Sequence, residues 1–189
     1  MQVSDVLVDG FGRVQEVVRG VLDGADDALL TGRPGEGGNS VAWLVWHLAR
    51  VQDDHVADAF GGEQVWTAEG WAERFGLALP VGDTGYGHGP QEVAAVVASS
   101  ELLLGYARAV HEVTVRHLRG LAPGDLDRVV DERWDPPVTL GVRLVSVLAD
   151  DLQHAGQAAY VRGLLERGTP GRSDALAGAA GTRGERDPR

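Results

Sequence analysis

The chain has 189 residues, 43% of them hydrophobic, a formal net charge of −11 and no cysteine. That length suits one domain with a substantial core. The absent thiols exclude a disulfide framework, thiolate metal ligands and a cysteine nucleophile, so any thiol chemistry must use a thiol from outside. No apolar run approaches the roughly 20 residues of a membrane span, and no basic segment followed by a hydrophobic one opens the chain, so a cytoplasmic protein with no membrane partner is expected.

Charge is unevenly divided. Residues 167–189 hold five Arg and three acids, which leaves about −13 on residues 1–166. So acidic a body repels phosphate, and no nucleic-acid partner is expected. All 17 basic residues are Arg, which removes Schiff-base lysines and P-loops. Lys and Ile are absent and Asn39 is the only Asn, a bias that points to a GC-rich bacterial genome.

In chain order, Ser4 can cap a first helix whose apolar positions Leu7, Phe11, Val14, Val18 and Val21 follow the helical period to about Gly24. Thr31 to Gly38 is turn-rich. Asn39 or Ser40 then caps a second helix to about Phe60, with Val41, Leu44, Leu48 and Val51 facing inward and His47 on the same stripe. Gly61 to Gly89 contains eight glycines and reads as a long crossover connection with one short helix near Thr67 to Phe75. Pro90 suits the first turn of a third helix running to about Gly120, on the stripe Val93, Val97, Ser100, Leu104, Ala107, Val110, Thr114 and Leu118. Leu121 to Pro137 is irregular, with an extended piece from Arg128 to Trp134. A fourth long helix is expected from Thr139 to about Glu166. The pattern predicts an all-α four-helix bundle over residues 1–166 with a crossover between the second and third helices, then a disordered tail over 167–189.

The last helix carries Asp150 and His154, one turn apart on one face and in line with Leu144, Val147, Val161 and Leu164. An inward carboxylate and imidazole need a partner, and with His47 they would offer two nitrogens and one oxygen to a divalent cation, leaving a position open for water or substrate. The same residues equally fit a core histidine bonded to a carbonyl and an Asp150 paired with Arg143 or Arg50. Asp151, three residues before His154, competes for the carboxylate role, although Asp150 aligns better with the Val147 and Val161 stripe. His117 reads as a core or helix-end residue, and His55 and His111 as solvated or interface residues. His88 sits in a glycine-rich loop that could reach a site.

The run Trp43-Leu44-Val45-Trp46-His47-Leu48-Ala49, followed by Asp150-x-x-x-His154-Ala155-Gly156-Gln157 and Arg162, resembles the DinB-like superfamily. Within it the chain is most similar to the actinobacterial branch related to mycothiol-dependent enzymes, over roughly Val3 to Arg167 and including the Asp83 to His88 loop. The resemblance implies a four-helix bundle holding a divalent metal through His47, Asp150 and His154. Members often have Glu or His at the place of Asp150, and many carry a further histidine where this chain has Ala158. It further implies a thiol transferase or isomerase of detoxification type, using a low-molecular-weight thiol such as mycothiol and an electrophilic small molecule. Zinc is the favoured metal, with nickel, iron or manganese also compatible. Around these ligands, Gln157 and Arg50 are expected to support the site, Arg50 by orienting an anionic substrate. Trp43 and Trp46 are expected to line the pocket, and Tyr86 and His88 to act from the loop in binding or proton transfer. Apolar surface on the first and last helices suggests a homodimer. A non-catalytic metal-binding or stress-related bundle and a metal-dependent hydrolase are the competing functions.

Overall fold

A computed structural model describes residues 2–122 and 124–168. The fold is all-α with one small hairpin. Its helices are α1 (Val3–Leu22), α2 (Asp27–Thr31), α3 (Val41–Phe60), α4 (Val65–Ala68), α5 (Trp71–Phe75), α6 (Pro90–Ala95), α7 (Ser100–Arg119) and α8 (Leu140–Gly168). Between α7 and α8 lies the antiparallel pair β1 (Val129–Asp131) and β2 (Val138–Thr139), with Val129 opposite Thr139 and Asp131 opposite Val138. Among the described residues no helix is long and apolar enough to cross a membrane. Arg167 and Gly168, expected to open the tail, instead belong to α8, and the rest of the expected tail, 169–189, lies outside the described residues.

The four long helices α1, α3, α7 and α8 bury most of the stripes read from the sequence, with Val51, Leu104 and Leu164 only partly buried and Asp151 in the place expected for Asp150 on the α8 stripe. Val14 and Val18 of α1 cluster with Leu44 and Leu48 of α3 and Val110 of α7, while Leu7 and Phe11 of α1 cluster with Leu118 of α7 and Leu140, Leu144 and Val147 of α8, and Leu148 packs against both clusters. Packing fixes the relative directions. His47 meets His154, and Arg143 donates from Nη1 to His55 Nδ1 at 3.2 Å, so α3 and α8 run antiparallel. A methyl added at Gly10 would lie 2.7 Å from Leu148 Cδ2, and Arg162 Nη1 donates to the carbonyls of Gly20, Val21 and Asp23, so α1 and α8 run parallel. Those three bonds also place a cation at the carbonyl end of α1, where the helix dipole favours it.

Several boundaries differ from the sequence reading. Ser4 lies inside α1, which begins at Val3 with the Gln2 N–H donating to Asp5. Ser40 rather than Asn39 caps α3, its Oγ accepting from the Trp43 N–H. The third helix is two helices. The chain leaves α6 at Val96, and Ser99 starts α7 by accepting from the Leu102 N–H, which turns Val97 out to 58% exposure. The single short helix of the connection is likewise the pair α4 and α5.

The long connection is not a loose crossover. Trp66, Trp71 and Phe75 are buried against Tyr106 of α7. The Asp53 carboxylate on α3 accepts from the Val65 and Trp66 N–H groups and from the Tyr106 hydroxyl, each at 2.8 Å. Burial pushes the Asp53 carboxyl up from its ordinary range, and those donors pull it back. Burial, then the neighbouring Asp53 charge, push the Tyr106 phenol well up. These bonds hold residues 65–81 against the bundle, and Trp66 Nε1 adds one more to the Val81 carbonyl at 2.9 Å. The next few residues are thereby delivered onto α3.

Candidate metal centre

Residues Asp83 to His88 form a clip on one face of α3. Arg50 Nε donates to the Asp83 carbonyl at 3.0 Å, and the Asp83 carboxylate accepts from the Gly85 N–H at 3.2 Å and from His88 Nε2 at 2.8 Å. Burial opposes the charge on Asp83, but the His88, Gly85 and Thr84 donors hold its carboxyl below the usual range. Trp43 Nε1 donates to His88 Nδ1 at 3.1 Å. An indole N–H can only donate, so Nδ1 carries a lone pair and the His88 proton sits on Nε2. The His88 ring also stacks on Trp46 at 5.9 Å between centroids. Every α3 residue in the clip lies at position 43, 46, 47 or 50, one helical face.

At the centre of that face His47 is 7% exposed. Its Nδ1 lies 2.5 Å from the Thr84 carbonyl oxygen, which can only accept, so Nδ1 bears the proton and Nε2 the lone pair. Burial lowers the His47 pKa, with His154 adding to the effect and the Thr84 bond opposing it, which favours the neutral ligand form. Gly85 makes the approach possible: at φ +95°, a Cβ here would lie 2.7 Å from His47 Nδ1 and 3.1 Å from both the Trp43 and Trp46 rings. Trp43 stacks on His47 at 4.5 Å and meets His154 edge-on at 6.2 Å.

From α8, the His154 ring meets His47 edge-on at 4.6 Å. Gln157 Oε1 accepts from His154 Nδ1 at 2.8 Å, which leaves Nε2 free and 3.6 Å from Asp150 Oδ1. One ligand atom from each of His47, Asp150 and His154 lies within 4.8 Å of the others. The donor set fits a divalent cation: two imidazoles, each with its second nitrogen bonded to an oxygen acceptor, and a carboxylate whose Oδ2 is buried without a hydrogen-bond partner. A histidine anchored through its second nitrogen is how metal-binding imidazoles are ordinarily oriented.

The chain matches the family model for the DinB superfamily over residues 11–158. It belongs to the DinB superfamily. A solved structure of a conserved protein from Enterococcus faecalis is similar at 34% identity, covering 86% of this chain and 96% of that one with a TM-score of 0.80. A search of curated proteins found no match.

In this DinB-superfamily chain the other expected site residues are dispersed. Arg50 is fully buried, bonded to Asp83 and to the Tyr106 hydroxyl at 3.2 Å, 3.6 Å from Asp53, with its guanidinium 5.0 Å from the Trp66 ring. A guanidinium sealed in this way cannot orient a substrate, and Arg50 instead holds the clip. Tyr86 is 93% exposed, so its phenol stands in solvent rather than in the centre. His88 lines the clip, with one nitrogen accepting from Trp43 and the other donating to Asp83, so neither is free to take up a substrate proton. Trp43 walls the centre, whereas Trp46 lies behind the clip against His88 and Trp66. Gln157 positions His154. The alternative partners for Asp150 are occupied elsewhere: Arg143 binds Asp131 at 2.9 Å and Arg50 sits by Asp53. Thr84 acts through its carbonyl and Gly85 through the space it leaves, so both escape residue-type reasoning, although Asp83-x-Gly85 is a turn signal. Asp151, weighed as a rival ligand, is fully buried with both oxygens unpartnered, and burial followed by the nearby Asp150 charge push its carboxyl well up.

Proposed function

We propose that this DinB-superfamily protein is a metal-dependent thiol transferase or isomerase of detoxification type, taking a low-molecular-weight thiol, with mycothiol first among candidates, and a small electrophile. The carrying observation is the convergence of His47, Asp150 and His154 with both histidines already oriented for coordination. Those three residues would hold the ion, for which zinc is the preferred identity given two nitrogens and one oxygen. Bound there, a divalent ion supplies Lewis acidity that stabilises a thiolate near neutral pH.

The chain's own residues prepare that chemistry. Thr84 and Gln157 fix the two imidazole rings, Trp43 supplies an apolar wall that limits water, and Asp150, with a side chain 37% exposed, leaves the centre open to solvent on one side. With no cysteine anywhere, the nucleophilic sulfur must be brought in. His88 and Tyr86 offer no base over the centre, which favours a metal-activated thiol over a hydrolase that needs a general base for water. The commitment of Arg50 and His88 to structural bonds supports a second reading, a non-catalytic metal-binding protein.

Elemental analysis of the untagged protein, beside His47→Ala and Asp150→Ala, tests the centre, with near-stoichiometric metal expected only in the parent. Cobalt(II)-loaded protein titrated with mycothiol and with 2-mercaptoethanol then separates the functions. A saturable sulfur-to-cobalt absorption supports the transferase, its absence with metal still bound leaves the non-catalytic protein, and a chain that refuses metal removes both.

A further inference from the structure

Both α1 and α3 pack against α7 and α8, so the α1–α7 seam lies on the far side of the bundle from the α3–α8 seam that holds the metal centre. Gln15 Nε2 donates to the Ala107 carbonyl at 3.1 Å and Ser100 Oγ to the Ala25 carbonyl at 3.0 Å, so α1 and α7 run antiparallel. Between them is a cavity of about 530 Å3, where Gly12, Gln15 and Arg19 of α1 face Leu104, Arg108 and His111 of α7. That volume is in the range of small-molecule sites. Smaller hollows adjoin both of its ends, one of about 290 Å3 beside Ser100 and one of about 400 Å3 beside Arg116.

The floor of this cavity has an unused acceptor. Gln15 is 7% exposed, and because the Ala107 carbonyl only accepts, the amide nitrogen must face it and Oε1 must point elsewhere. That Oε1 takes no donor among the described residues and is not sealed off, so it opens onto the cavity. A deep amide oxygen in this position calls for a donor from outside the chain. His111 Nδ1 is buried without a partner, which leaves Nε2 to meet the cavity, and burial lowers the His111 pKa, so the ring adds no charge near neutral pH. Gly12 keeps the mouth clear. A Cβ there would meet nothing within 4 Å, so packing does not demand glycine, although glycine weakens a helix interior.

Charge selects the ligand. Residues 1–166 carry about two acids for each Arg, yet the cavity is balanced, with Arg19 and Arg108 beside Glu16 and Glu112. Arg19 and Glu16 make no ion pair among the described residues, and Arg108 holds Glu112 only at 3.9 Å across two exposed side chains. A simple anion would meet the two glutamates and a simple cation the two arginines. A molecule carrying both signs suits both. Glu16 and Arg19 are three residues apart on one helix face, with Gln15 beside them, so an ammonium at Glu16 and Gln15 Oε1 and a carboxylate at Arg19 are within reach of one small ligand. The hollows at either end leave room for more than a single amino acid.

We propose that the α1–α7 cavity is a second binding site, separate from the metal centre, for a short zwitterionic peptide whose ammonium meets Gln15 Oε1 and Glu16 and whose carboxylate meets Arg19. Triglycine is the probe, read by proton–nitrogen correlation spectra of the full chain. It is expected to shift the Gly12 and Gln15 amide signals saturably, and equally in His47→Ala, which tells the cavity from an ion at the centre. Triglycine amide and N-acetyltriglycine each lack one charge and are expected to bind about tenfold more weakly. Arg19→Gln is expected to weaken triglycine about tenfold and to leave triglycine amide unchanged. Gly12→Leu puts a side chain into the mouth without meeting the protein, and is expected to abolish binding with an unchanged circular dichroism spectrum. A native chain that triglycine does not saturate, equal affinity for the three probes, a response lost in His47→Ala, or binding undiminished in Gly12→Leu would overturn the proposal.

Discussion

Replacing Gly85 by alanine tests whether the Asp83 to His88 clip sets the metal centre, and Gly87 supplies the matched control. Both glycines have positive φ, +95° and +76°, but a Cβ at Gly87 meets nothing within 4 Å. Forcing an L-residue into that conformation costs about 1–2 kcal/mol at either position. At Gly85 the new methyl also lies 2.7 Å from His47 Nδ1 and 3.1 Å from two tryptophan rings. Neither ring can retreat, since Trp43 is 5% and Trp46 1% exposed. The loop must lift instead, which separates His47 from the Thr84 carbonyl and Arg50 from that of Asp83, at about 1–3 kcal/mol for each buried donor left unpaired. Gly85→Ala should therefore be less stable than Gly87→Ala by at least about 2 kcal/mol, a melting gap of about 4–8 °C. Metal affinity should fall about 10–100-fold in Gly85→Ala alone. Thermal unfolding by circular dichroism and competitive metal titration read the two effects. Equal melting temperatures with equal affinities would refute the clip as the determinant of His47 orientation.

Other perturbations probe separate parts of the structure. Asp53→Ala leaves the buried Arg50 without its neighbouring carboxylate and three donors without an acceptor, so urea denaturation should show a loss of about 3–5 kcal/mol. Asp151→Leu should raise stability at pH 7 by about 1–3 kcal/mol, because it removes a buried, unpartnered carboxyl. The Asp151 pKa is raised in the fold, so its penalty grows as pH climbs above about 3.9; the advantage of the leucine variant should shrink in acid, and a pH-independent advantage would count against the assignment. The His47 and His55 pKa values are lowered, chiefly by burial, so the unfolded chain binds more protons and stability of the metal-free protein should fall as pH drops below about 6.5. Gln157→Ala should weaken metal binding about tenfold while the melting temperature of the metal-free protein stays put; a large drop in that temperature would mark Gln157 as structural instead.

The long helices were legible because each needs an apolar stripe, and a stripe of Val, Leu and Phe at helical spacing has few other meanings. The break between α6 and α7 was hidden by the same signal: Val93, Val97 and Ser100 continue the period across it, although Ser99 carries the capping chemistry that starts α7. The centre was legible as a set of ligating residue types, but not in its placement. Asp150 and His154 were expected on the core stripe of α8, yet Asp151 occupies that stripe with Leu144, Val147, Ala155 and Ala158, and the pair sits on its shoulder. That offset gives Asp150 and His154 access to solvent, which a ligand in the middle of the core would lack. Arg50 looked like a substrate-binding cation because its bonds run to a backbone carbonyl and to Tyr106, neither of which residue spacing reveals.

The acceptor that orients His47 belongs to the main chain of Thr84. Side-chain replacement at 84 cannot delete a carbonyl, so mutation can drift there without touching the imidazole above it. The vulnerability is displaced to the neighbours that bend the chain, Asp83 through its bonds to Gly85 and His88, and Gly85 through the space it leaves. The heritable information for the orientation of one imidazole on α3 thus resides largely in a loop more than thirty residues downstream.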